Sequence, residues 1–182
     1  MAEFGSNDTN AESGDLISRL ELAKNDILAE FALICTDNGY RTASVKVVPA
    51  IRRRDLIVQQ LMTGQAEIGI YMGSEKLTGV GNAWSSYQSN VDVWLQAVIK
   101  TTASSNDDAT ELNHALEALR HDLLRVCTTL VKKYLNNYKG RWNLLPVPIE
   151  AVPMADLGDK QSLGAVGLRF QIQLRAMDES LK

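Results

Sequence analysis

The sequence predicts an α+β fold, with a mostly antiparallel sheet and two long helices packed on one face. Two long segments repeat apolar residues every three or four positions, as amphipathic helices do. Several shorter segments alternate apolar and polar residues, which indicates strands with one buried face. The order is helix, three strands, helix and two strands, so a sheet with both helices on one side would bury every apolar stripe.

Length and composition indicate a globular protein with a hydrophobic core. The chain has 182 residues, of which 45% are hydrophobic and 23% are charged, values that suit one domain of ordinary size. Its net charge of −3 provides no broad basic field for nucleic acid. No apolar run approaches the roughly 20 residues of a membrane-spanning helix, and the N-terminus lacks the pattern of a signal peptide. We therefore expect a non-secreted protein without a membrane segment.

The chain divides into a short polar start and one domain. Residues 1–14 are small and polar without periodicity, which predicts a flexible tail. The first six residues, MAEFGS, are typical of a cloning scar. Residues 15–182 are expected to form a single α+β domain.

Both helices have recognisable ends. The first is predicted to begin at the N-cap Asp15 and to stop at Asn38-Gly39. The second is predicted from residue 111 to about residue 137, with Asp108 or Thr110 as its cap. The first helix would bury Leu16, Leu20, Ala23, Ile27, Phe31 and Ile34, and the second would bury Leu112, Leu116, Leu119, Leu123, Val126, Leu130 and Tyr134.

The strands follow from two-residue alternation, which predicts them at 42–48, 66–72, 90–100 and 166–175. Prolines in 146–153 allow an extended edge segment but not a central strand. Residues 50–65 fit either an extended arm or a short helix over 55–62. The Gly- and Ser-rich stretch 73–90 is expected to form a long exposed hairpin loop.

The two histidines do not predict a metal site. His114, Glu117 and His121 spell H-x-x-E-x-x-x-H in the second helix, a spacing that can place three ligands on one face. At about 100° per residue these side chains point roughly opposite to the leucine stripe. We expect them on open solvent surface, without the surrounding groups that orient metal ligands. A solvated polar face is the simpler interpretation.

No motif for a nucleophile or a cofactor is evident. Cys127 lies at the edge of the buried stripe and His121 on the far side of the same helix, so the two cannot meet. No serine lies in a G-x-S-x-G elbow, and the glycine pairs at 79–83 and 164–169 do not follow a strand and open a helix. Cys35 and Cys127 are expected to be small buried side chains in a reducing compartment. We predict no catalytic residue, no metal and no cofactor, and hence a protein that is not an enzyme.

Two groups of residues are candidates for contacts with partners. Arg52, Arg53 and Arg54 could meet phosphate or the acidic side chains of a partner. Because no aromatic residue is interleaved with them, a solvated or subunit-facing cluster is the favoured interpretation. Trp84 and Tyr87 lie in the predicted hairpin loop. Exposed aromatic residues are common anchors for protein partners, and the alternative is that these two fold over the sheet edge.

The order of these segments is similar to that of a known family. A first helix that ends in NGY is followed by the basic stretch VVPAIRRRD and by the strand AEIGIYMGSEKL. After a polar hairpin come NVDVWLQAVIK, a polar linker, a long helix and LGAVGLRFQIQLRA. This order and local character resemble the lambda-type tail terminator (tail completion) proteins of long-tailed bacteriophages, over about residues 15–176.

The resemblance implies a structural protein of the virion, located where tail and head join and assembled in the host cytoplasm. Such proteins form a hexameric ring that caps the tail tube, stops its polymerisation and presents a surface to the head connector. DNA passes through the lumen without sequence-specific contact. On this basis we expect Arg52, Arg53 and Arg54 to face an acidic patch of the adjoining subunit or tube. The 73–90 hairpin would contact the tube or the connector.

Two alternatives remain open. One is a head-completion, connector-binding or minor tail protein, which would belong to the same class but bind a different partner. The other is an α+β module that binds a ligand or nucleic acid through residues 52–54. The latter predicts DNA binding that weakens with salt and on replacement of the three arginines by alanine.

Overall fold

The computed structural model of the protein describes residues 12–49, 65–80, 86–101, 108–134, 142–144, 150–156 and 163–177. These ranges contain the helices α1 (Glu12–Ala32) and α2 (Asp108–Tyr134) and a short 3-10 turn, η1 (Thr36–Asn38). The strands are β1 (Ser44–Pro49), β2 (Gln65–Val80), β3 (Ser86–Lys100), β4 (Trp142–Leu144), β5 (Glu150–Asp156) and β6 (Leu163–Met177).

The strands form one mixed sheet. Within the described residues its order is β1-β2-β3-β6-β4, and β5 also pairs with the outer edge of β6. The fold is therefore α+β, but the prediction of a mostly antiparallel sheet is wrong because β1 runs parallel to β2. Parallel neighbours need a crossover connection of about a dozen residues or more. The stretch between Pro49 and Gln65, whose structure the sequence does not decide, is long enough to provide it.

Both helices and three strands contribute to one hydrophobic core cluster. The α1 stripe is buried from Ala23 to Ile34, and every member of the predicted α2 stripe is buried. Alternate residues of β3, from Val91 to Ile99, are buried in the same cluster. This burial confirms the helical and strand periodicities. We call the face of the sheet that carries these residues the covered side, and the opposite face the polar side.

Helix α2 approaches β6 closely at Gly164. A Cβ atom at this position would lie 2.5 Å from Leu116 Cδ1 and 2.9 Å from Leu116 Cγ. Glycine within a strand often marks such an approach, because no other residue leaves the necessary space. The spacing between helix and sheet therefore depends on this one missing side chain.

The first helix ends before Asn38-Gly39, the predicted stop. α1 ends at Ala32, and the N–H groups of Leu33 and Ile34 bond to carbonyl groups three residues earlier, the tighter pattern found at helix termini. Asn38 and Gly39 instead close η1. Asn38 Nδ2 donates to Leu33 O at 2.7 Å, and Gly39 adopts the left-handed conformation with φ 74°, which favours glycine.

The β2–β3 hairpin is paired over much of the 73–90 stretch, for which the sequence predicts a long loop. Pairing runs to Val80 on β2 and resumes at Tyr87 on β3. Register shifts between Met72 and Glu75, and further along the hairpin, interrupt the ladder. Bulges of this kind accommodate small residues within a strand, so the Gly- and Ser-rich composition does not prevent pairing.

The proline-rich segment lies at the sheet edge, as its composition predicts. Residues 150–153 of this segment are described and belong to β5, which pairs with β6. The short strand β4, which precedes the segment, also pairs with β6. Pro153 falls in the register shift between Val152 and Ala155. Its missing N–H group therefore interrupts the ladder where pairing is already broken.

Helix α1 begins at Glu12, so Asp15 lies within the helix and is not its cap. Helix α2 begins at Asp108 and ends at Tyr134, slightly before the predicted end. Residues 1–11 of the predicted tail lie outside the described residues. So do residues 50–64, for which the sequence fits an arm or a short helix.

Candidate functional site

The polar side of the sheet carries a row of side chains across three strands. Tyr71 on β2 pairs with Trp94 on β3, which pairs with Arg169 on β6. The Arg169 guanidinium stacks on the Trp94 ring, with 4.4 Å between Cζ and the ring centroid. All three residues are partly exposed. The cation–π contact holds the arginine against the indole while its side chain remains accessible.

Asp92 connects the row of Tyr71, Trp94 and Arg169 to the neighbouring row, in which Asp92 itself pairs with Gln171. Gln171 Nε2 donates to Asp92 Oδ1 at 2.7 Å, and Arg169 Nη2 lies 3.5 Å from the same oxygen. The side chain of Asp92 is 16% exposed and that of Arg169 is 39% exposed. Arg169 thus contacts a carboxylate and an aromatic ring at once. We call Tyr71, Asp92, Trp94, Arg169 and Gln171 the polar-face cluster.

Another part of the polar side is buried. The side chain of Glu67 is 3% exposed, and its Oε2 lies 3.6 Å from Lys46 Nζ. Beside it, Val98, Leu163 and Ala165 form a small apolar cluster separate from the main core. The accessible part of the polar side is therefore the region around the polar-face cluster.

A buried carboxylate fastens α2 to the start of β1. Asp122 is 0% exposed. Its Oδ2 accepts hydrogen bonds from the Arg41 N–H at 2.9 Å, the Thr42 N–H at 2.7 Å and the Thr42 hydroxyl at 2.8 Å. Its Oδ1 lies 3.4 Å from His121 Nδ1. Because the three donors come from one connecting segment, the carboxylate holds that segment against the helix. We call Arg41, Thr42 and Asp122 the Asp122 clamp.

Arg125, one helical turn further along α2, contacts the same segment before β1 from its solvent side. Its Nη1 donates to Gly39 O at 2.6 Å, and its guanidinium stacks on the Tyr40 ring at 4.5 Å from the centroid. Residues 39–42 are therefore attached to α2 at successive positions. This arrangement is a scaffold, since its buried acceptor is already satisfied by the chain itself.

A shallow cavity of about 200 Å³ lies beside the clamp. Its lining residues are Arg41, Thr42, Ala43, Ile99, Thr101, Glu111, Ala115 and Ala118. The titratable side chains in this lining, Arg41 and Glu111, both belong to exposed residues. Within the described lining, the cavity therefore offers one carboxylate and one guanidinium, and no buried titratable group.

The H-x-x-E-x-x-x-H residues are exposed, as their helical position predicts. His114, Glu117 and His121 all lie on the solvent side of α2, and Glu117 Oε2 lies 3.6 Å from Arg120 Nη1. Among the described residues, no group of three His, Cys, Asp or Glu side chains has a metal-binding arrangement.

The two cysteines differ in their surroundings. Cys127 is buried, and burial raises the pKa of its thiol from 9.0 to about 12, so the thiol is protonated and unreactive at neutral pH. Cys35 is only partly buried. The prediction of two buried cysteines is therefore confirmed for Cys127 and wrong for Cys35.

Most of the predicted partner residues lie outside the part of the chain that the structure describes, namely Arg52, Arg53, Arg54 and Trp84. Tyr87 is described, and its predicted place in a loop is wrong. It lies in β3, where it pairs with Val80 on one side and Ala176 on the other.

The Asp122 clamp has a signal in the sequence that periodicity alone does not identify. Asp122 lies between Leu119 and Leu123, inside the apolar stripe of α2, and a carboxylate at a core position is rarely left unpaired. The polar-face cluster is harder to find from sequence. Trp94 and Arg169 occupy the non-core positions of their strands, but their contact requires the β3–β6 register.

No helix within the described ranges combines the length and the apolar character needed to cross a membrane. A scan of the chain against protein family models found no match, and a search of curated proteins found no significant match.

Proposed function

We propose that this chain is a structural protein of a long-tailed phage virion, which forms a ring on the tail tube, ends its polymerisation and joins it to the head connector. The proposal starts from the resemblance in element order over about residues 15–176. It places both long helices on one face of the sheet and leaves the polar side for partners. The polar-face cluster is the observation that supports it most directly.

The composition and order of this cluster suit a protein–protein contact. Tryptophan, tyrosine and arginine are the residues most enriched at the energetic centres of interfaces. Here Arg169 is held by Trp94 and Asp92 before any partner binds, so little side-chain freedom is lost on binding.

The same contacts argue for binding over acid–base chemistry at this position. Asp92 Oδ1 is already bonded to Gln171 and Arg169. A general acid or base must be able to exchange a proton with a bound substrate. Within the polar-face cluster the other charged group is an arginine, which stays protonated.

The proposal assigns partners to several surfaces. Copies of the chain form the ring, and the tail tube protein and the head connector bind its two ends, while DNA passes through the lumen. Residues 52–54 are proposed to face an acidic patch of the adjoining subunit or tube. The 73–90 hairpin is proposed to reach the tube or the connector; the polar-face cluster lies beyond the ends of this 73–90 stretch, on β2 and β3, and on β6.

Capping of tail tubes tests the proposal. Tubes are polymerised from the tail tube protein of the same genome, and their length distribution is measured by electron microscopy with and without this chain. Mass photometry of the purified chain measures ring formation in parallel. We expect a hexamer, or a monomer–hexamer equilibrium, and tubes that stop growing.

Arg169→Ala should weaken capping at least tenfold, a loss of about 1.4 kcal/mol. Arg120→Ala is the matched control, because Arg120 is 41% exposed, close to the 39% of Arg169, and bonds a carboxylate on the surface of α2. Equal loss in both variants would remove the polar-face cluster as the partner surface.

Binding assays separate the alternatives. Binding to the connector but not to the tube would identify a head-completion protein. Salt-sensitive DNA binding that falls on alanine substitution of residues 52–54 would identify a nucleic-acid module. A strict monomer in the presence of tubes would contradict the proposed ring cap.

A further inference from the structure

The two outer edges of the sheet, β1 and β5, are linked by the same rows of paired residues. β1 forms one edge and β5 pairs on the outer side of β6. Strand registers connect them in straight rows, one through Val45, Ala66, Ile99, Gly164 and Asp156, and another through Pro49, Ile70, Leu95, Leu168 and Ala151. Nearly all of β1 therefore faces across the sheet to β5.

The directions of the strands make these edges complementary. β1 runs parallel to β2, and each step from β2 to β3, β6 and β5 reverses direction. β5 is thus antiparallel to β1. A second copy placed beside the first, with the same face forward, would bring its β5 next to β1 in antiparallel orientation. Antiparallel neighbours can form a regular hydrogen-bond ladder.

The outer edge of β1 has the character of a docking edge. Among the described residues, the one strand-like pairing on the outer side of β1 is an isolated bridge between Ser44 and Cys35. Val45, Val47 and Val48 are each partly exposed. Lysine often protects an edge strand from unwanted pairing, but the Lys46 ammonium is engaged by Glu67 at 3.6 Å.

We propose that β1 of one copy pairs with β5 of the next, so that copies of this chain join through a continuous sheet. The inference rests on the ring of the proposed function and names its subunit contact. A closed ring needs two different patches that meet head to tail, and two opposite sheet edges provide them. The break at Pro153 limits the ladder to the parts of β5 on either side of it.

Disulfide trapping tests this contact. Val48 and Val152 belong to one row, through Gly69, Gln96 and Gly167. In a Cys35→Ser, Cys127→Ala background, Val48→Cys and Val152→Cys are combined and oxidised. The two positions in one copy are four strand spacings apart, about 19 Å, and a disulfide requires Cα atoms within about 7 Å. Any disulfide between them therefore joins two copies.

We expect a ladder of covalent oligomers on a non-reducing gel from the double variant. If a shift in register at the contact is needed, Ala151→Cys or Ala155→Cys replaces Val152→Cys. Each single-cysteine variant is the control and should stay monomeric on the gel. Efficient dimers from Val48→Cys alone would mean that two β1 strands meet, and this would overturn the proposal.

Charge placed on the edge provides a second measurement. Val48→Lys should weaken self-association at least tenfold by mass photometry, because its side chain lies on the polar side and can reach solvent without unfolding β1. Thr128→Lys adds the same charge on exposed α2 and should change nothing. Thermal unfolding of both variants verifies that they are folded.

The outcomes separate this contact from the proposed function. Trapped oligomers that do not cap tail tubes would support the contact and contradict the tail function. Rings that cap tubes but never give the disulfide at any of the three β5 positions would overturn the contact and leave the tail function standing. A monomer at every concentration would contradict both.

Discussion

Each side of the sheet has an aspartate with several partners, and the two carboxylates differ in what surrounds them. Asp122, next to the core, is 0% exposed and takes all three of its close hydrogen bonds from the segment that leads into β1. Asp92, on the polar side, is 16% exposed and shares Arg169 with solvent and with Trp94. The number of hydrogen bonds therefore does not distinguish a scaffold from a contact surface, whereas the accessibility of the bonded groups does.

The largest effect on stability is expected from substitution of Asp122. Asp122→Ala should lower the free energy of unfolding by about 3 kcal/mol, because it leaves the buried N–H and hydroxyl of Thr42 and the part-buried N–H of Arg41 without an acceptor. Chemical denaturation measures the change. Asp122→Asn, which keeps an acceptor oxygen, should cost about 1 kcal/mol. A loss under 1 kcal/mol for the alanine variant would show that water or another group replaces the carboxylate.

The second test concerns how closely the covered side is packed. Gly164→Ala should destabilise the fold by about 2 kcal/mol, since its Cβ would overlap Leu116 and force α2 to shift. Gly73→Ala on the same sheet is the control. Its Cβ would approach Asp92 O only to 3.3 Å, so a smaller effect is expected. Equal unfolding midpoints for the two variants would mean that Leu116 moves aside at little cost.

The pH dependence of stability above pH 8 tests the burial of Cys127. Burial raises the pKa of this thiol from 9.0 to about 12, so between these values the unfolded chain loses a proton that the folded chain keeps. The contribution of this group to stability is complete below pH 9 and is lost as the pH rises toward 12, by about 1.4 kcal/mol per pH unit. Denaturation midpoints from pH 8 to 11 measure it.

Cys127→Ala should flatten this part of the pH profile without abolishing it. Lys133 and Tyr134 also have raised pKa values, through the hydrogen bond from Lys133 to Glu30 and through burial of Tyr134 respectively. The contributions of both groups to the stability of the fold therefore also decrease as the pH rises. If the free energy of unfolding of Cys127→Ala fell with pH as steeply as that of the parent chain, the Cys127 thiol would be accessible to hydroxide.

The smallest effect on stability is expected on the polar side. Asp92→Ala should change the free energy of unfolding by less than about 1 kcal/mol, because a partly exposed ion pair contributes little. Assembly or capping should nevertheless fall, since Arg169 would no longer be held in place. The contrast with Asp122→Ala is the critical result. A large loss of stability together with unchanged assembly would reverse the roles given to the two aspartates.

The periodicity of the sequence was sufficient to locate the core elements. The α2 stripe and the alternation in β3 and β6 are confirmed by burial, because a helix or a half-buried strand imposes its period on local sequence. The mixed sheet was not predictable in the same way. The direction of β1 relative to β2 depends on residues 50–64, whose pattern fits more than one structure.

The charged clusters depended on information that local patterns do not contain. Trp94 and Arg169 are 75 positions apart in sequence and meet only because β3 and β6 pair in one register. Asp122 was detectable, since it interrupts an apolar stripe. Two of its three donors, the N–H groups of Arg41 and Thr42, were not, because any residue type except proline could supply them.

The distance in sequence between β3 and β6 has a consequence during synthesis of the chain. β3 can pair with β2 as soon as the hairpin emerges, but its other edge must wait until the ribosome has completed α2 and the last strand. At about 5–20 residues per second this interval lasts several seconds. Nascent chains of intermediate length therefore present β3, which is rich in valine, with one unpaired edge. These chains should be the species that chaperones bind and that aggregate when expression is fast.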